Sequence, residues 1–138
     1  MRVVLDTNVL ISGLLSPHGP PGRILDSLLA GAITILFDDR ILDEYREVLA
    51  RPVFDFEPAN REALIAYLES SGLPVAAPPL PVVLPDPDDL PFLEVAVAER
   101  ADALVTGNVK HFKPVRGKHT VAVNTPAEFL ARVRKRLT

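Results

Sequence analysis

The sequence contains no cysteine and no tryptophan, and only one methionine among its 138 residues. Without cysteine, disulfide bonds and thiolate-ligated metal centres are excluded. No apolar run approaches the roughly 20 residues that a membrane-spanning helix needs, so we expect no membrane partner. The first 15 residues lack a basic leader followed by an apolar core, and we therefore expect no signal peptide and a cytoplasmic location.

What the sequence does contain is typical of a globular protein. Hydrophobic residues make up 48% of it and charged residues 24%, which excludes a disordered chain. A length of 138 residues suits one domain that can bury its own core. We expect a single domain over residues 1–138.

Charge is unevenly distributed along the chain. The net charge is −3, yet residues 110–138 carry eight Lys or Arg against one acid, while the remainder has seven basic and 17 acidic residues. A basic end beside an acidic body is typical of a protein that meets a polyanion and holds a cation elsewhere. A solvated terminal helix explains the same pattern, and the counts leave both interpretations open.

Predicted strands and helices alternate along the chain. The runs "VVL", "ITILF", "ALVTG" and "TVAV" predict strands. Helical spacing of apolar residues occurs in "NVLISGLL", "GRILDSLLAGA", "DDRILDEYREVLARP", "PANREALIAYLESSG", "DDLPFLEVAVAERA" and "NTPAEFLARVRKRL". This alternation predicts an α/β fold with a parallel sheet covered by helices on both faces.

Proline and cap residues mark the boundaries of these elements. Proline clusters in "LPVAAPPLPVVLPDPDDLP", which therefore cannot be a central strand or a helix interior and is predicted to be an extended surface crossover. Gly72 is a predicted helix C-cap. Thr125, Pro126 and Glu128 have the spacing of a capping box at the start of the last helix.

Acidic residues fall where predicted strands end and helices begin. Asp6 ends the first strand, Glu44 lies in the helix after the second strand, and Asp86, Asp88 and Asp89 crowd the start of a later helix. The carboxyl ends of parallel strands meet at one edge of a sheet, so these acids are predicted to converge. Gathered carboxylates repel one another unless a cation neutralises them, and Mg²⁺ or Mn²⁺ prefers such oxygen ligands.

Each acid also has a structural interpretation. Asp6, followed by "TN", can cap the first helix, and Asp88 or Asp89 can cap the later one. Glu44 lies near the edge of the apolar stripe of its helix and can form a surface salt bridge.

Four segments together resemble a PIN domain. They are "VVLDTNVLIS", "ILDEYREVLARPVF", "DPDDLPFLEVAVAERADALVTGN" and "VNTPAEFL". Their order and spacing extend over nearly the whole chain and are similar to those of the prokaryotic PIN proteins classed as toxins of toxin–antitoxin pairs. The resemblance implies a three-layer α/β/α sandwich with a central parallel sheet. It also implies divalent-metal-dependent cleavage of RNA and an antitoxin partner.

The resemblance further implies which residues bind the metal and serve catalysis. The family's three carboxylates fall on Asp6, Glu44 and Asp89, which would hold Mg²⁺ or Mn²⁺ and serve catalysis. Asp88 is then left as the helix cap. Supporting positions fall on Thr7 or Asn8, Thr106, Asn108 and Asp86.

Asn108 departs from the family pattern, because many members have a fourth acid after the "TG" turn. The amide removes one negative charge, so a second metal ion would bind more weakly. One ion on Asp6 and Asp89 still polarises a phosphate and a water. The alternative function is a catalytically weakened module that binds RNA or assembles with other proteins.

Basic residues near the predicted site are expected to contact RNA. Lys110, Lys113, Arg116 and Lys118 follow the "TGN" turn and are predicted to bind the RNA backbone. The basic residues of the last helix either extend this path or contact an antitoxin or a second copy. We expect a homodimer.

The remaining polar residues do not indicate another chemistry. His18, His111 and His119 lack the spacing of a zinc site, and His111 either touches a phosphate or is structural. A phosphotransfer receiver needs paired acids after the first strand and a lysine after the last, and the sequence has neither in place.

Overall fold

The computed structural model describes the backbone of residues 1–137 and the side chains of residues 1–135. Its strands are β1 (Arg2–Leu5), β2 (Thr34–Phe37), β3 (Leu73–Pro74), β4 (Ala103–Val105) and β5 (Val123–Asn124). They form one sheet in the order β3-β2-β1-β4-β5, and all neighbouring pairs are parallel. The first strand of the chain is therefore the central strand of the sheet.

Six helices accompany the sheet within the described residues. They are α1 (Thr7–Leu15), α2 (Pro20–Leu29), α3 (Asp39–Leu49), α4 (Pro58–Ser71), α5 (Leu90–Ala98) and α6 (Pro126–Leu137). Short 3₁₀ turns occur at 52–54, 87–89 and 109–112. The predicted three-layer α/β/α sandwich with a central parallel sheet is confirmed. None of the helices described is long and apolar enough to cross a membrane.

The core lies between the sheet and its helices. The central strand is almost entirely enclosed, since Val3, Val4 and Leu5 are each no more than 1% exposed. Strands covered on both faces need apolar side chains in both directions, which explains the continuous rather than alternating apolar runs. Burial of these runs supplies most of the energy that fixes β1 at the centre.

The proline-rich segment differs from its prediction. Its first two residues, Leu73–Pro74, form the edge strand β3 beside β2, and the sequence did not predict this strand. Proline is tolerated there because an edge strand has an unpaired side. Val75 and Leu84 are buried, so the crossover contributes to the core instead of lying wholly on the surface.

Cap predictions are met at two helix ends. The capping box at α6 is confirmed, since the Glu128 N–H donates to Thr125 Oγ1 at 3.1 Å and the Thr125 N–H donates to Glu128 Oε1 at 2.8 Å. Gly72 follows α4 as predicted, with φ −86°. Glycine is required there for space, because a Cβ would lie 2.8 Å from the Ile35 carbonyl oxygen.

Candidate metal centre at the carboxyl edge of the sheet

Asp6 lies where the central strand ends. Leu5 pairs with Val105 across β1 and β4, and the Asp6 N–H continues the ladder by donating to the Val105 carbonyl at 2.9 Å. Thr106 directly follows β4, as Asp6 directly follows β1. The register of two neighbouring strands therefore brings Asp6 and Thr106 together.

The Asp6 carboxylate is buried and points to its neighbours at this edge. Only 5% of Asp6 is exposed, and Thr106 Oγ1 donates to its Oδ2 at 2.8 Å. Asn8 Nδ2 donates to the same oxygen at 3.4 Å. Asp6 occupies the N-cap position of α1, but its side chain makes no capping hydrogen bond. The interpretation of Asp6 as a helix cap is therefore wrong.

Asn8 and Thr106 also hold the turn that follows β4. The Gly107 N–H donates to Asn8 Oδ1 at 3.1 Å, and the Asn108 N–H donates to Thr106 Oγ1 at 3.0 Å. These bonds join the start of α1 to the "TGN" turn. Both predicted supporting residues thus contact Asp6 or the turn beside it.

Glu44 reaches this edge from α3. Tyr45, the next residue, is fully buried and donates its hydroxyl to the Leu5 carbonyl at 2.5 Å, which fixes α3 against the end of β1. Glu44 is half-buried and accepts a hydrogen bond from the Thr7 hydroxyl. Its partner is thus a hydroxyl of α1 and not the basic partner of a surface salt bridge.

The side chain that caps the turn before α5 is that of Asp86 and not that of Asp88, and Asp89 occupies the N-cap position of α5 without a side-chain capping bond. Asp86 Oδ1 accepts the Asp88 N–H at 3.0 Å, and Asp86 is the N-cap of the 3₁₀ turn at 87–89. Pro87 explains the difference, because a residue before proline is held in the extended conformation that an N-cap needs. Asp88 is exposed, so its prediction as the cap was wrong.

Asp89 is the buried acid of this group. It is 7% exposed, and its Oδ2 lies 3.0 Å from Nδ1 of His111. His111 belongs to the 3₁₀ turn at 109–112, which the fully buried Phe112 anchors to the core. The histidine that the sequence left open between two roles therefore lies beside a predicted ligand.

Most of these polar side chains border one open cleft of about 410 Å³. The polar residues that line it are Asp6, Thr7, Asn8, Ser12, Glu44, Arg51, Asp86, Asp88, Asp89, Asn108 and His111. Thr106 is fully buried, and it contacts the site through Asp6. The structure thus brings the three predicted carboxylates to a common cleft.

Burial and mutual repulsion raise the pKa of these carboxyl groups. Desolvation raises the pKa of Asp6 from 3.8 to about 6, against the opposing effect of the Thr106 hydrogen bond and with a further increase from the charge of Asp89. Desolvation also raises the pKa of Glu44, where Thr7 opposes it, and the pKa of Asp89, where the charge of Asp86 adds to it. Ionised carboxylates in this cleft are therefore poorly compensated, and a divalent cation would relieve the repulsion.

The donor atoms fit such a cation. Within the part of the chain that the structure describes, Asp86, Asp89 and His111 form a group whose potential ligand atoms all lie within 4.8 Å of one another. Asp6 and Glu44 border the same cleft outside this tight group. The carboxylate oxygens suit Mg²⁺ or Mn²⁺, and an imidazole nitrogen is also a common ligand of divalent metals.

The predicted RNA-binding residues lie outside the lining of the cleft. Lys110, Lys113, Arg116 and Lys118 are all exposed. Arg116 forms an ion pair with Glu128 at 3.2 Å, which neutralises part of its charge.

On α6 the basic residues are not equivalent. Arg132 donates to the Asp102 carbonyl at 2.9 Å and to Asn124 Oδ1 at 2.7 Å, so it has a structural role. The side chain of Arg136, also counted in the basic end, lies outside the described residues.

Sequence reasoning missed three residues that matter here. Arg51 and Phe54, the first and last residues of "RPVF" in the second PIN-like segment, line the cleft. Glu94 on α5 is only 3% exposed, accepts from Arg40 Nη1 at 2.7 Å and also accepts the Leu80 N–H at 2.8 Å. An acid inside the apolar run "FLEVAVA" was the available signal for Glu94.

Comparison with known proteins supports the fold and identifies the family. Residues 2–110 of the chain match the sequence pattern of the PIN domain family. An uncharacterised protein of Methanocaldococcus jannaschii is 30% identical, over 98% of this chain and 93% of its own length. A chain in the crystal structure of VapBC2 from Rickettsia felis, bound to a DNA fragment from their promoter, superposes with a TM-score of 0.58 at 19% identity, over 91% of this chain and 98% of that one. The chain belongs to the PIN domain family.

Proposed function

We propose that the chain is a divalent-metal-dependent ribonuclease that hydrolyses RNA phosphodiester bonds as the toxin of a toxin–antitoxin pair. The observation that carries this proposal is the convergence of Asp6, Glu44 and Asp89 on one cleft in a member of the PIN domain family. The raised pKa values of all three support a cation at this position.

In this proposal Asp6, Glu44 and Asp89 hold Mg²⁺ or Mn²⁺, with Asp86 as an outer acid. When bound there, such an ion would supply Lewis-acid chemistry: polarisation of the scissile phosphate and a lower pKa for a water in position to attack it. Asn108 also lines the cleft, and its side-chain amide is proposed as a further ligand of the ion or of a water bound to it.

The protein's own contribution is to hold the carboxylates in place before substrate arrives. Thr106 and Asn8 donate to Asp6 Oδ2 and fix its orientation. The Tyr45–Leu5 and Thr7–Glu44 hydrogen bonds fix the glutamate of α3 beside the end of β1. Fixed ligands reduce the reorganisation that metal and phosphate binding would otherwise require.

Cleavage of matched oligonucleotides tests the proposal. Single-stranded RNA and DNA of one sequence are incubated with purified protein in Mg²⁺, in Mn²⁺ and in EDTA. We expect metal-dependent cleavage of the RNA, and its loss in Asp89→Asn. Cleavage that persists in EDTA or in Asp89→Asn would contradict the proposal.

A second candidate function is supported by Asn108. Asn108 is an amide where many family members have an acid, which would weaken catalysis. A catalytically weakened module that binds RNA or assembles with other proteins would need only the fold and the basic surface. RNA binding without cleavage in both Mg²⁺ and Mn²⁺ would favour this candidate.

Replacing the amide tests whether the missing charge limits the site. We expect Asn108→Asp to tighten Mn²⁺ binding several-fold and to raise cleavage at low metal, because a carboxylate is the stronger ligand for a hard cation. The gain is modest because the added charge also repels the acids already present. Calorimetric titration with Mn²⁺ measures it, and a variant no better than wild type would show that the amide ligates adequately or lies outside the shell.

The exposed basic group next to the cleft is proposed to bind the RNA backbone. We expect simultaneous replacement of Lys110, Lys113 and Lys118 by Gln to weaken RNA binding and to flatten its dependence on log salt by about 0.7 per lost phosphate contact. Filter binding at several salt concentrations measures the slope. Arg23→Gln, which removes an exposed charge on α2, is the control, and an unchanged slope in the triple variant would reject this RNA path.

An antitoxin and a second copy of the chain are the proposed protein partners, in the cytoplasm. The shared fold with a chain of the VapBC2 complex supports a protein partner. Light scattering of the purified chain tests the homodimer, and co-expression with a neighbouring open reading frame tests the antitoxin. The proposed domain is the whole span of residues 1–138.

A further inference from the structure

His111 and Asp89 form a closely spaced pair of potential metal ligands at the candidate metal centre. Nδ1 of His111 lies 3.0 Å from Oδ2 of Asp89, and the His111 side chain is 41% exposed towards solvent. Asp86, the proposed outer acid, belongs to the same group, and the potential ligand atoms of all three residues lie within 4.8 Å of one another. Two elements carry these donors, the turn at 87–89 with its N-cap Asp86 and the turn at 109–112, and they are held independently of any ion by Asp86 capping and by Phe112 burial.

The separation of this pair matches neighbouring ligands of one cation. Metal–ligand bonds of 2.0–2.1 Å at right angles place adjacent donor atoms about 3 Å apart. Without an ion, a proton must lie between the nitrogen and the carboxylate oxygen, since two lone pairs at this distance repel. An ion that binds both atoms replaces that proton and needs little movement of either side chain.

We propose that His111 is a metal ligand that makes this centre prefer Mn²⁺, Co²⁺ or Zn²⁺ over Mg²⁺. The inference rests on the proposed metal site and adds which cations it selects. Mg²⁺ strongly prefers oxygen donors, whereas imidazole nitrogen stabilises the transition metals. The nitrogen also supplies a donor next to Asn108, where the family's fourth acid is absent.

Metal affinity of His111→Gln tests this selectivity apart from activity. Calorimetry with Co²⁺ and with Mg²⁺ is carried out on wild type, on His111→Gln and on the control His119→Gln, whose histidine does not border the cleft. We expect His111→Gln to lose at least tenfold in Co²⁺ affinity and less than threefold in Mg²⁺ affinity. His119→Gln should match wild type for both ions.

A spectroscopic measurement separates ligation from simple support of Asp89. Pulsed electron paramagnetic resonance of Mn²⁺-loaded wild type should show nitrogen coupling from an imidazole, and His111→Gln should lack it. Equal losses for Co²⁺ and Mg²⁺ with no nitrogen coupling in wild type would overturn ligation and leave His111 as a hydrogen-bond partner. Wild type that binds neither ion would overturn the proposed function as well.

Discussion

Asp6→Asn is expected to lose Mn²⁺ binding and at least about 100-fold of RNA cleavage. Loss of a residue that merely orients a metal ligand already reduces affinity or activity by about 10–100-fold, and Asp6 is proposed to be a ligand itself. Calorimetric titration with Mn²⁺ measures the first effect and oligonucleotide cleavage the second. Equal Mn²⁺ binding by the variant and wild type would reject the assignment of Asp6.

The same substitution is expected to stabilise the metal-free protein. Because burial raises the pKa of Asp6 from 3.8 to about 6, its ionised form at pH 7 disfavours folding by up to about 3 kcal/mol. Asparagine removes that charge, so the free energy of unfolding should rise by about 1–3 kcal/mol, measured by urea denaturation in EDTA. Saturating Mn²⁺ should reverse the order, since it stabilises only the protein that binds it.

The pH dependence of this difference has a definite sign. Between the unfolded pKa of 3.8 and the folded pKa of about 6, the folded state binds more protons than the unfolded state. Stability from Asp6 therefore falls as pH rises through this window, and the advantage of Asp6→Asn should vanish near pH 4. The raised pKa values of Glu44 and Asp89 act in the same direction.

Asp43→Asn provides the matched control. Asp43 is on α3 next to Glu44, but its side chain is 74% exposed and it pairs with Arg46 on the surface. The substitution Asp43→Asn should change neither Mn²⁺ affinity nor RNA cleavage, and its effect on the free energy of unfolding should stay below about 0.5 kcal/mol. A stability gain in Asp43→Asn equal to that in Asp6→Asn would point to net charge as the cause instead of the cleft.

Glu94→Ala is expected to destabilise the fold by about 3 kcal/mol and to weaken Mn²⁺ binding. The buried carboxylate joins Arg40 near the start of α3 to the Leu80 N–H of the proline-rich crossover. Its removal leaves the half-buried Leu80 N–H without its acceptor and empties a buried position, whereas Arg40, which is 47% exposed, keeps its pair with Asp38. Because α3 carries Glu44 and the crossover leads to Asp89, loosening both should spread the proposed ligands apart.

Two variants identify the source of this effect. Glu94→Gln keeps an acceptor for the Leu80 N–H and loses the ion pair, so it should cost less than Glu94→Ala. Glu99→Ala breaks the exposed pair with Arg2 at 2.9 Å and should cost less than about 1 kcal/mol. Chemical denaturation measures all three, and a Glu94→Ala loss as small as that of Glu99→Ala would show that the buried bridge is unimportant.

The sheet and the cleft could be predicted because both depend on chain order. Apolar runs that are continuous rather than alternating indicate buried parallel strands, and parallel strands bring Asp6 and Thr106 to one edge through their register. Helical spacing likewise put Glu44 beside the buried Tyr45. These inferences need only local patterns and one rule of topology.

Features that depend on three-dimensional packing could not be predicted in this way. The short strand β3 exists because Leu73–Pro74 meets an open edge of the sheet, which no local pattern indicates. The position of His111 beside Asp89 depends on how Phe112 is buried. The cap at Asp86 could have been predicted, because the proline that follows Asp86 restricts its backbone to an extended conformation.

The start of α1 has a consequence for how this chain tolerates mutation. Asp6 stands in the N-cap position without capping the helix, and it keeps a carboxylate buried where ionisation is unfavourable. Serine or asparagine at this position would avoid the charge, and both residue types are favoured at helix N-caps. A library randomised at position 6 and selected only for heat resistance should therefore discard the acid, as stability and activity make opposite demands on this residue.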